Sequence, residues 1–270
     1  MVRATFPEVT LHAMATNLGF AAANNVGIAA VLSPAPPTPP PPYLLLLNPD
    51  TIVPPGAIET LVAFLQAHPR VGLVSPRLLN ADGTIQPAAF RFPTLAMSVL
   101  DVFPPGEVLP GRLYGSWWQG RYPQEAQQVP APFPIDHPLG ACMLARRETV
   151  AEIGGLRTQY FMYSEEIDWC WRIRAAGWAI WQVPDARVTH IGGAATSQFR
   201  HRMLVELHRS RVQFFRTHYA AAFLRLHRLI TVAGMLRATL VAWRRYAQGH
   251  MTRQELRARL WAYGHIVRLR

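Results

Sequence analysis

The sequence predicts an α/β protein: a mainly parallel sheet flanked by helices, followed by a helical tail. Three observations predict it. Short apolar runs of strand length, such as "YLLLL" (43–47) and "VGLVSPRLL" (71–79), alternate with stretches of helical character. Prolines and glycines punctuate the junctions, with Pro54-Pro55-Gly56 before one helix and Gly177 after another. From Phe199 onward the alternation stops and arginine-rich sequence takes over.

Each element follows in turn. "ATNLGFAAANNVGIAAVL" (15–32) opens with a turn-like Asn-Leu-Gly and continues as an Ala-rich helix with Asn24 and Asn25 embedded in it. "SPAPPTPPPP" (33–42) can be neither helix nor central strand, so it is expected to be an extended polyproline loop. The strand 43–47 runs straight into Asn48-Pro49-Asp50. "PPGAIETLVAFLQAHP" carries an apolar stripe at Ile58, Leu61 and Leu65 and reads as a helix. Strand 71–79 leads to a turn with Asp82-Gly83 at its tip. Phe92 to Pro134, rich in proline and aromatics, has little periodicity and reads as loops around an opening. "PLGACMLARRETVAEIGGL" reads as strand, short helix and a Gly-Gly stop. "SEEIDWCWRIRAAGW" reads as a helix with Ser164 as N-cap. "AIWQVPDARVTHIGG" is a strand and turn leading to His190.

The net charge of +11 suggests nucleic acid until it is located. Residues 199–270 carry 15 Arg against Glu206 and Glu255, a local charge of +13, while residues 1–198 carry −2. All 27 basic residues are Arg, a bias that looks compositional. No helix-turn-helix, RNP or zinc-finger pattern accompanies the charge, so a nucleic-acid partner is not expected. The division is therefore 1–198 as the body and 199–270 as a basic helical extension. Cys142 and Cys170 form no C-x-x-C pair, which argues against a disulfide framework or zinc site and fits a reducing, cytoplasmic compartment. Polar residues and Pro7 interrupt the N-terminus, and no signal peptide is expected.

Within the extension "LITVAGML" (229–236) is free of charge but far shorter than the ~20 residues of a membrane span. Arg225, Arg228 and Arg237 bracket it, and Trp243 and Tyr246 suit an interface. Two readings stand. A helix could lie in the headgroup region of an anionic surface with its arginines snorkelling. Alternatively the helices pack on the body with their arginines in water.

Glu165, Glu166 and Asp168 all fall in the first turn of one helix. Acids there complement the helix dipole, and Asp168 can pair with Arg172 four residues on. Asn-Pro-Asp is ordinary turn chemistry, and His190 could be a loop histidine. In combination these residues mean more. A strand-end Asp50, a carboxylate pair at a helix start and a strand-end His190 occupy comparable places in an α/β sheet, where such folds keep their sites. Carboxylate and imidazole with open positions suit Mg²⁺ or Mn²⁺, and a spare Glu suits a general base.

An ordered series of segments then becomes specific: "NLGFAAANNVGI" (17–28), "LLLLNPDTIVPPGAIETL" (44–61), "VGLVSPRLLNADGTIQPAAFRFPTL" (71–95), "GACMLARRETVAEIGGL" (140–156), "YFMYSEEIDWCWRIRAAGW" (160–178) and "VTHIGGAATS" (188–197). In this order they resemble family 2 glycosyltransferases of the GT-A fold, of the bacterial rhamnosyltransferase-like kind. The resemblance covers most of residues 15–198. It implies an inverting transfer of a sugar from a nucleotide-sugar donor, dTDP-rhamnose for example, to a saccharide or lipid-linked acceptor in cell-envelope polysaccharide synthesis. It puts Asn48-Pro49-Asp50 at the family's D-x-D-like position, with Asp50 and His190 holding the divalent cation. Glu166 stands where the family's Glu-Asp pair has its base, one methylene longer than the usual Asp, with Glu165 and Asp168 beside it. Asn17, Asn24, Asn25 and Asn48 are implied near the nucleotide or diphosphate.

Two features depart from the family pattern. The family begins with two further strand units that contact nucleobase and ribose, and this sequence starts just after them. The proline-rich loop at 33–42 is longer than the family's link. An incomplete nucleotide-binding half is therefore expected, and two functions are carried forward: an active transferase peripheral on the inner face of the plasma membrane, and a non-catalytic membrane-associated scaffold. A metal-dependent hydrolase is disfavoured, because the ordered series has no hydrolase counterpart.

Overall fold

The structure is a computed structural model that describes residues 1–33, 39–113, 116–120, 122, 131–192 and 199–269. Residues 34–38 of the proline-rich loop expected at 33–42 lie outside the described residues. A short exposed helix α1 (Val2–Thr5) precedes α2 (Gly19–Leu32). Strand β1 (Tyr43–Leu47) buries Leu44 and Leu46 by simple alternation. Strand β2 (Thr51–Ile52) follows the Asn-Pro-Asp turn. Helix α3 (Ala57–Ala67) starts after Gly56, whose φ of +85° favours glycine, and buries Ala57, Leu61 and Leu65. Strand β3 (Val71–Leu79) is buried on both faces and returns through the Asp82-Gly83 turn to β4 (Ile85–Gln86). The Asp82 carboxylate accepts from Thr84 N at 3.0 Å, and Gly83 takes φ +81°.

Between β5 (Ala89–Phe90) and the two short strands β6 (Phe133–Pro134) and β7 (His137–Pro138) lies the segment expected to be loop. The structure corrects this in part. Helix α4 (Leu95–Val102) forms there, capped by Thr94 Oγ1, which accepts from Met97 N. Strand β8 (Cys142–Arg146) passes into α5 (Arg147–Ile153), then α6 (Glu165–Ala175), and Gly177 at φ +88° turns the chain into β9 (Ala179–His190). Cys142 and Cys170 are buried free thiols.

The main sheet runs β1-β8-β3-β9-β2, with β4 on β3 and β6 on β9. The architecture is α/β as expected, but the sheet is mixed rather than mainly parallel. Its long central ladder, β3 with β9, is parallel, while β8 enters antiparallel between β1 and β3. Burial patterns report which face a residue takes, not the direction of its neighbour, so this insertion left no mark in the sequence. The β3–β9 register shifts between Pro76, opposite Val183, and Arg77, opposite Arg187. That irregularity takes up Pro184, which has no N–H to offer a ladder. Helices α2, α5 and α6 cover one face around Leu44, Leu73, Met143, Trp169 and Ile173. Helix α3 covers the other, with Leu61 and Leu65 on Val74, Leu144 and Val183.

The extension forms α7 (Arg200–His218), α8 (Ala221–Ala247) and α9 (Arg253–Arg268). Among the described residues no helix is long and apolar enough to cross a membrane. The extension is tied to the body at several points. Ser210 Oγ donates to Met162 O at 2.7 Å, Tyr219 Oη donates to Pro93 O at 2.7 Å, and Arg211 pairs with Asp101 at 2.8 Å. His227 Nδ1 meets Ser98 Oγ at 2.9 Å. Gly234 lets α8 close on α4: a Cβ there would stand 2.3 Å from Val102 Cβ. Gly234→Ala is therefore expected to destabilise by roughly 1–3 kcal/mol through overpacking, despite alanine's better helix propensity. A urea midpoint equal to or above that of the parent would show that the α4–α8 contact yields.

Candidate active site

The turn after β1 is built to present Asp50. Asn48 N donates to Ala141 O at 2.9 Å, and Thr51 Oγ1 donates back to Asn48 O at 2.7 Å. Strand β2 then pairs antiparallel with the end of β9, setting Thr51 opposite His190, and Ile191 N donates to Asp50 O at 3.0 Å. The result brings Asp50 Oδ1 to 3.4 Å from His190 Nε2. Two residues 140 positions apart, singled out as strand-end groups, thus converge.

The imidazole is oriented from behind by Gln86, which no motif in the sequence marked as part of a site. Gln86 Nε2 donates to Asn80 Oδ1 at 3.1 Å and to His190 O at 3.3 Å. With the amide nitrogen committed to two oxygens, Gln86 Oε1 must face His190 Nδ1, at 2.8 Å. A carbonyl oxygen accepts only, so Nδ1 carries the proton. In the neutral ring Nε2 then presents its lone pair toward the Asp50 carboxylate. Two electron-rich atoms aimed at one point suit a shared cation, with a second-layer amide fixing the tautomer. Among the described residues no third His, Cys, Asp or Glu completes a cluster. Such a pair leaves positions open for the oxygens of a phosphate-bearing ligand, the usual arrangement for Mg²⁺.

The carboxylate pair sits at the same end of the sheet. Gly140, next to the Ala141 that holds Asn48, packs on Glu166: a Cβ at Gly140 would lie 3.5 Å from Glu166 Cβ and Cγ. Glu165 and Glu166 open α6 after two residues in left-handed backbone, Tyr163 (φ 70°) and Ser164 (φ 66°). Ser164 precedes the helix but makes no side-chain cap, so its expected capping role is not met. Left-handed non-glycine residues cost of order 1–3 kcal/mol each and persist where surroundings hold them. Here the holders are Ser210, which donates to Met162 O, and Gly19, whose missing Cβ would stand 2.5 Å from Phe161 O.

Glu165 is 5% exposed and its Oε2 has no hydrogen-bond partner among the described residues. Burial raises its pKa. Burial, and then the charge of Glu165, raise that of Glu166. Neither forms an ion pair among the described residues. Glu166 also lines a cavity of about 190 Å³ with Met97, His137, Leu207, Arg211 and Phe214. His137 is kept neutral there, its pKa lowered by burial to about 4. This wall is partly made by α7, which nothing in the sequence linked to the site.

Asp168 has a different environment. It is fully buried and accepts from Arg172 Nε at 2.9 Å, Arg157 Nη1 at 3.3 Å and Tyr160 Oη at 3.3 Å, with His218 Nε2 at 2.7 Å. All four partners belong to the protein's own frame. The asparagines expected near a nucleotide are likewise engaged. Asn25 Nδ2 donates to Leu156 O at 2.7 Å and its Oδ1 accepts from Leu156 N at 2.9 Å, a two-point tie from α2 to the loop before the carboxylate helix. Asn24 Nδ2 donates to Phe20 O, and Asn17 Oδ1 accepts from Gly19 N. Of the four, Asn48 alone sits in the turn that carries Asp50.

The profile of the "Glycosyltransferase like family 2" family matches residues 3–207. The chain belongs to that family. Curated family relatives include the N-acetylglucosaminyl-diphospho-decaprenol L-rhamnosyltransferases of two Mycobacterium tuberculosis strains, each 31% identical over 192 residues, covering 68% of this chain and 59% of the relative. A low-salt glycan biosynthesis hexosyltransferase of Haloferax volcanii is 29% identical over 159 residues, covering 58% of this chain and 44% of that one. The matched segment thus spans 59% of the length of the two rhamnosyltransferases and 44% of that of the hexosyltransferase. Among solved structures, a mannosyltransferase of Pyrobaculum calidifontis in complex with GDP-Man and Mn²⁺ is 15% identical, with 98% of this chain and 69% of that one covered at a TM-score of 0.48.

Proposed function

We propose that this family 2 member transfers a sugar from a nucleotide-sugar donor to a saccharide or lipid-linked acceptor, with inversion at the anomeric carbon. The observation that carries the reading is the convergence of Asp50 and His190, with the tautomer of His190 set by Gln86, at the sheet end that also holds Glu166. Asp50 and His190 would hold a divalent cation, Mg²⁺ or Mn²⁺. When bound, it offsets the negative charge on a nucleoside diphosphate. Glu166, in its carboxylate form, takes the proton from an acceptor hydroxyl. The hydroxyl oxygen bonds to the anomeric carbon, and the bond from that carbon to the diphosphate oxygen breaks. The nucleoside diphosphate leaves with the electron pair, and the single displacement inverts the centre. The cavity between Glu166 and α7 would receive the acceptor. dTDP-rhamnose is the first donor to try, since two relatives are named as L-rhamnosyltransferases. A lipid-linked acceptor and a cytoplasmic donor would meet at the inner face of the plasma membrane.

The test is a panel of nucleotide sugars with nucleotide release as the readout, with and without Mn²⁺. Asp50→Asn is expected to remove the Mn²⁺-dependent part of nucleotide binding in calorimetry. Gln86→Leu should weaken it by roughly 10–100-fold, the usual cost of losing an outer-layer partner. Nucleotide binding that ignores Mn²⁺ and both substitutions would remove Asp50 and His190 from the site. A folded chain that neither binds nor turns over any donor would favour the scaffold reading.

A further inference from the structure

Helix α8 has one face on the body and one that no element among the described residues covers. His227, Thr231, Gly234, Met235 and Ala242 are buried. On the opposite side Leu226, Leu229, Leu236, Leu240 and Trp243 are 48%, 67%, 60%, 71% and 51% exposed. Their spacing of three, seven, four and three residues keeps them in one stripe along the helix. The stripe covers 18 residues, or about 27 Å of helix. Single exposed leucines need no explanation, but an aligned row of this length does. Arg225 and Arg244 are exposed and flank the stripe at its two ends, and α8 contains no acidic residue.

We propose that this face of α8 docks flat on an anionic lipid surface, with the leucines and Trp243 in the acyl–headgroup boundary and the arginines among lipid phosphates. The charge pattern selects this occupant. A second copy paired through the same stripe would set arginines against arginines at both ends. An anionic bilayer instead complements them while taking up the apolar row. The buried face keeps α8 fixed to α4, so lipid contact needs no unfolding of the extension. The inference does not depend on the transfer reaction.

The test is co-sedimentation of the full chain with vesicles of phosphatidylcholine alone and with added phosphatidylglycerol, across a salt series. Binding to the anionic vesicles should be the stronger and should weaken with salt, because exposed charges are screened over about 8 Å at physiological ionic strength. Leu229→Glu/Leu240→Glu should lower partitioning by roughly tenfold or more while leaving circular dichroism and thermal midpoint unchanged, since both side chains are exposed. Arg225→Gln/Arg244→Gln should remove much of the preference for anionic lipid. Equal sedimentation of parent and leucine variant, or no preference for anionic vesicles, would overturn the proposal. So would a concentration-dependent dimer dispersed by the leucine variant, with no vesicle binding. Because the readout is lipid binding without donor, failure here is distinct from failure of the transferase reading.

Discussion

Glu166→Gln is expected to lower sugar transfer by roughly 10²–10⁴-fold, the usual worth of a positioned general base. The substitution keeps the side-chain volume against Gly140 and removes only the carboxylate. Folding and Mn²⁺-dependent nucleotide binding should therefore survive. Near-parental turnover would move the base to Glu165 or exclude catalysis at this helix. The pH profile adds a second readout. As the proposed base Glu166 would have to be ionised to accept a proton, and burial with the neighbouring Glu165 raises its pKa. The rate should thus rise with pH through that raised value, and the variant should lose this limb. Stability runs the other way. A raised carboxylate binds its proton more tightly folded than unfolded, so this contribution is present below the unfolded pKa of about 4.3 and is lost as pH rises through the folded value. Competence and stability at this pair are opposed.

Asp168→Asn is expected to cost roughly 3–5 kcal/mol of folding stability, the range for breaking a buried ionic contact by removing one partner. The carboxylate is fully buried, and Arg172 and His218, only 16% and 8% exposed, would lose their anionic partner. Chemical denaturation measures this directly. An asparagine variant as stable as the parent but inactive would return Asp168 to the catalytic group, where its sequence position first put it.

What was legible in the sequence depended on how local each feature is. The strand at Leu44–Leu47, the helix stop at Gly177 and the Asp82-Gly83 turn follow from residues within a few positions of one another. The pairing of Asp50 with His190 was legible only because both stand at strand ends in a recognisable order. The tie made by Asn25 was not legible for the opposite reason: its partner, Leu156, is 131 residues away, and an amide on a helix looks the same whether it meets a ligand or a backbone. Helix α4 hid in a proline-rich stretch because eight residues are too few to show periodicity. The change of composition at residue 199 suggested a separable arm. The contacts of Ser210 with Met162 and His218 with Asp168 are non-local and tie that arm to the carboxylate helix and the residues just before it. Helix α8 packs on the body with one side, and no described element covers its other side.

Taken with the proposed transfer and lipid docking, the clamp between extension and body would also bear on acceptor length. His218 joins α7 to the helix that begins with Glu165 and Glu166, and Gly234 seats α8 directly on Val102 of α4, beside the same cavity. A surface that seizes the outer stripe of α8 would thereby set the height and tilt of Glu166 above it, as a bracket sets a tool above a bench. The chain would then measure its acceptor as well as recognise it. A hydroxyl held at the matching distance from its lipid anchor would come to rest at Glu166, and one carried a sugar further out or further in would pass it by. Selectivity for spacer length would vanish on detergent-solubilised acceptors and reappear on vesicles, with no side chain in the cavity changed.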